Sequence, residues 1–185
     1  MANLAYDCEW DAHKAASNLK KHGVTFEQAA SVFLDALSLT VFDAAHSQHE
    51  ERWFTLGHTT VGTLLAVAHT YQATSSTSMR IRIISARPAT KQEQHFYADE
   101  PREGDIMNAT TNHSQDDDDM PAEIDFSKGV RGKFYHANAT LNLPVYLDAD
   151  VQAYLSAIAS KKGVQLSDLA NDLLKREIGI IEAVK

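Results

Sequence analysis

Ser-Gln-Asp-Asp-Asp-Asp-Met-Pro-Ala-Glu, residues 114–123, is the stretch whose reading decides the fold, because four consecutive aspartates stand between two segments of unlike pattern. Before them, residues 1–98 mix helical and strand periods and carry scattered His, Lys and Arg. After them, residues 124–185 read as one strand followed by two helices. A polar, like-charged run without apolar periodicity buries too little surface to offset the entropy of ordering, so residues 99–123 are expected to form a flexible acidic linker. A linker of that length reaches roughly 25 to 30 Å, enough for the flanking domains to touch.

Length and charge fit this division. A chain of 185 residues suits one domain or two small ones. The net charge of −8 would argue against nucleic-acid partners if it were evenly spread. It is not: residues 1–100 carry 8 Lys+Arg against 11 Asp+Glu (−3), residues 101–125 carry 1 against 8 (−7), and residues 126–185 carry 8 against 6 (+2). The C-terminal segment is therefore compatible with contact to DNA. Cys8 is the only cysteine, which excludes an intrachain disulfide and a Cys-based zinc cluster. The N-terminus lacks a basic region followed by an apolar run, and no stretch approaches the ~18 apolar residues of a membrane span. A soluble, cytoplasmic protein without membrane contact is expected.

In the first segment, Asp11 is expected to cap a helix that ends at Lys20, Lys21, His22 and a left-handed Gly23. Thr25 and Gln28 fit a capping box for a second helix, with Phe26, Ala29, Ala30, Phe33 and Leu37 on its core face. Four short β-branched or aromatic runs follow directly, LSLTVFD, RWFTLGH, LLAVAHT and MRIRIIS, which favours an antiparallel meander with a hairpin at Gly62. Alternation in the last run places Arg80 and Arg82 opposite Ile81 and Ile83. Pro88–Tyr97 reads as a closing helix.

In the last segment, Leu141, Leu143, Val145 and Leu147 alternate with polar residues in a strand, helices follow over 149–162 and after Ser167, and Gly163 separates them. One strand with one apolar face needs a partner strand, supplied by another chain or by the first domain. The economical answer is a two-fold homodimer of the ribbon-helix-helix kind, whose antiparallel ribbon enters the major groove. Thr140 and Asn142 would then face bases, and the amides after Ser167 would face phosphate. The alternative is a dimerisation module without DNA contact, since the outward strand face lacks Arg and Lys.

Through FSKGVRGKFY, TLNLPVYLD and KKGVQLSDLANDLLKREI, residues 124–181 resemble the BrnA antitoxin family, whose members carry a ribbon-helix-helix domain. Thr140 departs from the basic residue often found there in related antitoxins. Through EWDAHKAASNLKKHGVTFEQAASVF, HSQHEERWFTLG and RIRIISARPATKQEQHFY, residues 5–97 resemble the BrnT toxin family. These resemblances imply an α+β chain: a small RelE-like antiparallel sheet with helices over 1–98, the acidic linker, and a ribbon-helix-helix domain over 124–185. They also imply a metal-independent ribonuclease toxin of type II toxin-antitoxin systems, neutralised in cis by an autorepressor antitoxin that binds operator DNA. No cofactor is expected.

Cleavage of RNA by 2′-hydroxyl attack needs proton-transfer groups and cations for the developing phosphate charge. His22, Glu51, His95 or Tyr97 could move protons. Arg52, Arg82 and Arg87 could hold the phosphate through their planar forks, and Lys20, Lys21 and Arg80 could bind RNA around it. Each has a plainer reading: Lys20, Lys21 and His22 suit a helix C-terminus in any protein, and Glu51 and Arg52 suit surface ion pairs. His46 and His49 with Asp43 and Glu50 lie in a polar loop at loose spacing, which favours solvated residues over a metal site. Trp10 and Trp53 read as core or contact residues. The rival function is a DNA-binding repressor in which a degenerate toxin domain serves as scaffold.

Overall fold

The structure, a computed structural model, describes residues 4–47, 50–99 and 120–184. The aspartate run and most of the stretch read as linker lie outside the described residues, as does His49. Two compact units emerge, 1–144 and 145–185. The first does not end near residue 98: the chain after 120 packs onto the domain before it.

The first unit is built on a seven-stranded mixed sheet in the order β6-β2-β3-β4-β5-β1-β7. Its strands are β1 (Ala5–Glu9), β2 (Leu39–Phe42), β3 (Arg52–His58), β4 (Leu64–Ala73), β5 (Ser78–Pro88), β6 (Val130–Arg131) and β7 (Thr140–Asn142). The expected meander is present as β2 to β5, antiparallel throughout, with Gly62 at φ +86° in the β3–β4 turn. The sheet as a whole is not antiparallel. β1 runs parallel to β5, and β7 runs parallel to β1. β1 escapes detection because it is five residues long and its apolar alternation rests on Tyr6 and Cys8 alone, between Asp7 and Glu9.

Helices α1 (Ala12–His22), α2 (Phe26–Ala30) and α3 (Lys91–Ala98) complete this unit. α1 starts at Asp11, whose carboxylate accepts from Lys14 N, and stops at Gly23 in the left-handed region. α2 has the Thr25–Gln28 capping box, but after Ala30 the chain tightens into a 3-10 turn, Ser31–Leu34. That change of pitch turns Leu37 out to solvent, against expectation, while Phe26, Ala29, Ala30 and Phe33 are buried. Gly57 lets the turn lie close on β3, since a Cβ there would sit 2.8 Å from Val32 Cγ1.

Two cores result, one on each face of the sheet. The first gathers Tyr6, Trp10, Phe26, Phe33, Val67, Ile81, Ile83 and Phe134. Buried Asn18 joins α1 to the sheet: its Nδ2 donates to Val24 O and Ala86 O, and its Oδ1 accepts from Ala86 N and Ser85 Oγ. His69 is fully buried beneath Phe33 and Phe134. Its Nδ1 faces Thr70 O, which only accepts, so Nε2 takes the hydroxyl proton of Thr55. Burial pushes the His69 imidazole down to about 3, so it is neutral at ordinary pH. Burial likewise pushes the Cys8 thiol up to about 12, with Asp7 adding to the shift.

The second core contains Leu39, Phe54, Leu56, Ala66 and Ala68 from the sheet, and Met120, Ile124 and Phe126 from the following segment. Residues 120–142 therefore form a strap. They cover one face, add β6 to the β2 edge, bury Phe134 in the first core between Trp53 and Tyr71, and add β7 to the β1 edge. Tyr6 Oη donates to Phe134 O at 2.5 Å. Arg131 donates to Leu37 O, Tyr97 O and Asp99 O, meeting the open carbonyls at the end of α3.

The second unit is a helix pair, α4 (Ala149–Lys162) and α5 (Leu166–Ala183), separated by Gly163 at φ +66°. The α4 bounds and its glycine stop match the sequence reading. α5 begins at Leu166 with Gln165 as its cap, so Ser167 lies inside the first turn and is not the cap; its carbonyl accepts from Asn171 Nδ2. Leu173, Leu174, Ile178 and Ile181 are exposed. Among the described residues no helix is long and apolar enough to cross a membrane.

Arg87 anchors the strap. Its guanidinium forms a two-point pair with fully buried Glu93 at 2.7 Å and donates to Pro121 O at 3.0 Å. Breaking such a pair from one side leaves a buried charge, so Arg87→Ala should lower unfolding free energy by about 3 to 5 kcal/mol. The double variant Arg87→Met/Glu93→Leu also strips Thr90 N and Ile124 N of their acceptor, so it should not recover that loss. Urea unfolding of the three proteins checks this, and an Arg87→Ala protein of unchanged midpoint would refute it.

Candidate functional site

The β2–β3 connection is closed by its own polar groups. Asp43 N donates to Arg52 O, Ser47 Oγ donates to Asp43 O at 2.6 Å, and Arg52 N donates to Ser47 Oγ at 2.9 Å. This fixes the buried Asp43 carboxylate with Oδ2 at 2.9 Å from His46 Nδ1 and 3.1 Å from Arg52 Nε. A carboxylate only accepts, so Nδ1 of His46 carries a proton and donates it to Asp43. Arg52 is buried too, with its guanidinium 5.6 Å from the Phe54 ring centre.

His46 and Arg52 open onto a cleft of about 240 Å³, completed by Asp11, Lys14, Glu50 and Arg82, with Ile83 and Ile84 as apolar lining. Two guanidinium groups and an ammonium around one concavity suit an oxyanion. Arg82 pairs with the Glu50 carboxylate, and both side chains are about half exposed. An exposed pair of this kind contributes little, so an incoming anion can replace Glu50. A second groove, about 480 Å³, shares His46 with the cleft and reaches Asp43. Trp53 and Phe54 line it, as do Pro121, Ile124, Lys128 and Lys133 of the strap.

Of the residues singled out from sequence, Arg52 and Arg82 meet in the cleft. Lys20, Lys21 and His22 lie at the far end of α1 from Lys14, about 10 Å along its axis at 1.5 Å per residue. Glu51 is exposed and does not line the cleft. Arg80 faces Glu9 at 3.7 Å, both half-exposed. Arg87 is committed to Glu93 and Pro121, so its role in this fold is structural, contrary to expectation. Tyr97 stands in another cluster: its hydroxyl donates to Asp35 Oδ2 at 2.7 Å, and its ring meets His58 edge-on and lies under Arg131. Burial and the Asp35 carboxylate hold that hydroxyl well above the usual tyrosine range, which makes Tyr97 a hydrogen-bond donor and a poor base.

Thr140 and Asn142 lie on β7, with Asn142 Nδ2 donating to Asp7 Oδ1 at 2.7 Å. Hydrogen bonds from Ser78 and then Asn142 hold the Asp7 carboxyl below the usual carboxylate range. Among the described residues no group of three or more His, Cys, Asp or Glu is placed to hold a metal. Sequence reasoning missed Lys14 and the pairing of His46 with Asp43. The Asp-x-x-His spacing in a turn was the available signal, and it was weighed only as a metal motif.

The family model that matches is described as ribonuclease toxin, BrnT, of type II toxin-antitoxin system, over residues 10–93. Comparison with curated proteins gives no match. Among solved structures, the chain is similar to the Brucella abortus ribonuclease toxin BrnT, at 23% identity over 46% of this chain and 99% of that chain, with a TM-score of 0.34. Residues 10–93 match the BrnT toxin family model, and the match covers a little under half of the chain.

Proposed function

We propose that the chain is a metal-independent endoribonuclease toxin joined to its own antitoxin, and that the Asp43–His46–Arg52–Arg82 cleft is the catalytic site. The observation that carries this reading is a His–Asp pair and two arginines around one anion-sized cleft, inside a BrnT-family domain. In the proposed reaction, His46 Nε2 takes the proton from a ribose 2′-hydroxyl as its oxygen attacks the adjacent phosphorus. Asp43 steadies the imidazolium that forms. Arg52 and Arg82 stabilise the charge on the phosphoryl oxygens, with Glu50 displaced from Arg82. The P–O5′ bond breaks, the Lys14 ammonium gives its proton to the leaving oxygen, and a 2′,3′-cyclic phosphate remains.

Neutralisation in cis is supported by the strap. It walls the groove that adjoins the cleft at His46, so an RNA strand extending past the scissile phosphate would collide with it. The last segment is proposed to be a BrnA-like ribbon-helix-helix module, dimeric on operator DNA. Support comes from its strand-helix-helix order, its net charge of +2 from 8 Lys+Arg against 6 Asp+Glu, and the exposed apolar stripe of α5. A repressor built on a degenerate toxin is the second reading. It is favoured by the engagement of Arg87 and Tyr97 in the fold.

A fragment of residues 1–99 that circular dichroism shows to keep its fold should arrest growth and cut RNA, with cleavage unchanged by EDTA. The full chain should do neither. His46→Ala or Arg82→Ala should each reduce cleavage by roughly 100-fold or more. Undiminished cleavage in both variants would remove the cleft from the mechanism, and equal toxicity of fragment and full chain would remove neutralisation in cis.

For the C-terminal module, the full chain should bind duplex DNA taken from upstream of its own coding sequence. Affinity should fall by roughly 0.9 log units per log unit of salt for each neutralised phosphate. Leu174→Glu, which puts a charge in the apolar stripe of α5, should abolish binding by preventing the dimer. Binding that ignores salt would contradict this reading.

A further inference from the structure

β7 is the last strand of the sheet among the described residues, and its commitments to the toxin domain are threefold. Its backbone pairs with β1, in the register Ala5↔Thr140, Tyr6↔Leu141 and Asp7↔Asn142, and Thr140 N donates to Leu4 O at 2.9 Å. Leu141 packs against the first core. The Asn142 amide donates to Asp7.

We propose that the β1 edge of the toxin domain and operator DNA compete for β7, so that the strand lies on the toxin or in a DNA-bound ribbon and cannot do both. The proposal rests on the ribbon-helix-helix reading of the C-terminal segment. Three constraints make the two states exclusive. The B-DNA major groove is about 12 Å wide and admits a two-stranded ribbon. With β1 attached on each side the ribbon becomes four strands, spanning about 14 Å between outer strand axes at ~4.8 Å spacing. Leu141 can fill the toxin core or the ribbon's own core. Asn142 can satisfy Asp7 or a base edge.

Docking therefore withholds the DNA-reading strand, and DNA in turn draws it from the toxin edge. Two full-length variants test this against the upstream duplex by fluorescence anisotropy. Asp7→Ala leaves the β7 sequence intact, removes the Asn142 bond that only the docked state makes, along with the Ser78 bond between β1 and β5 that both states keep, and should tighten DNA binding roughly tenfold. Asp7→Cys/Asn142→Cys places two thiols at paired positions. Once oxidised, it should hold β7 on β1 and lose the DNA binding that Asn142→Cys alone retains through phosphate contacts, and reduction of the same sample should restore that level. Equal affinity of the oxidised and reduced forms, or no gain in Asp7→Ala, overturns the competition while leaving the DNA-binding module in place. Absence of DNA binding by the wild type, Asp7→Ala and the reduced double variant alike overturns the module and the proposal together.

Discussion

The Glu93 carboxylate is the junction on which one face of the sheet depends. Fully buried, it accepts two bonds from Arg87 on β5, one from Thr90 N at the start of α3, and one from Ile124 N on the strap. A lone carboxylate in that position would be costly, and the four donors make it favourable. The same oxygens fix the capping box of α3, so the helix, the strand end and the strap are positioned together. Met120, Ile124 and Phe126 then cover the second face of the sheet.

A sheet with two apolar faces and two open edges has four surfaces to satisfy. α1, α2 and the 3-10 turn cover one face, and α3 with the strap covers the other. β6 and β7 close the two edges of the five-stranded arrangement made by β1 to β5. That economy links structure to the proposed regulation. The segment that completes the fold is also the one that walls the groove beside the cleft.

Much of this was legible in sequence. The caps at Asp11, Thr25 and Thr90 and the stops at Gly23 and Gly163 are local devices, and local chemistry decides them. The four-stranded meander followed from period-two patterns. What did not follow was long-range pairing. β1 is too short to announce itself, and nothing local tells Thr140–Asn142 to pair in parallel with residues 135 positions earlier. The same limit applied to the site. Arg82 and Arg87 read alike as basic residues near a strand end, yet one lines a cleft and the other meets a buried glutamate. Sequence gave their charge but not their partners. His46 was visible only as a metal candidate because its relation to Asp43 and Arg52 depends on how the loop closes.

Hydrogen exchange by NMR on the full chain tests most directly whether residues 120–142 are part of the same fold as the sheet and helices before them. The amides of Ile124, Gly132 and Thr140 donate to Glu93, Ser38 and Leu4 respectively. They should be protected to nearly the same degree as the central amides of β3 and β4. Exchange of all three at the rate of an unstructured chain would contradict the account.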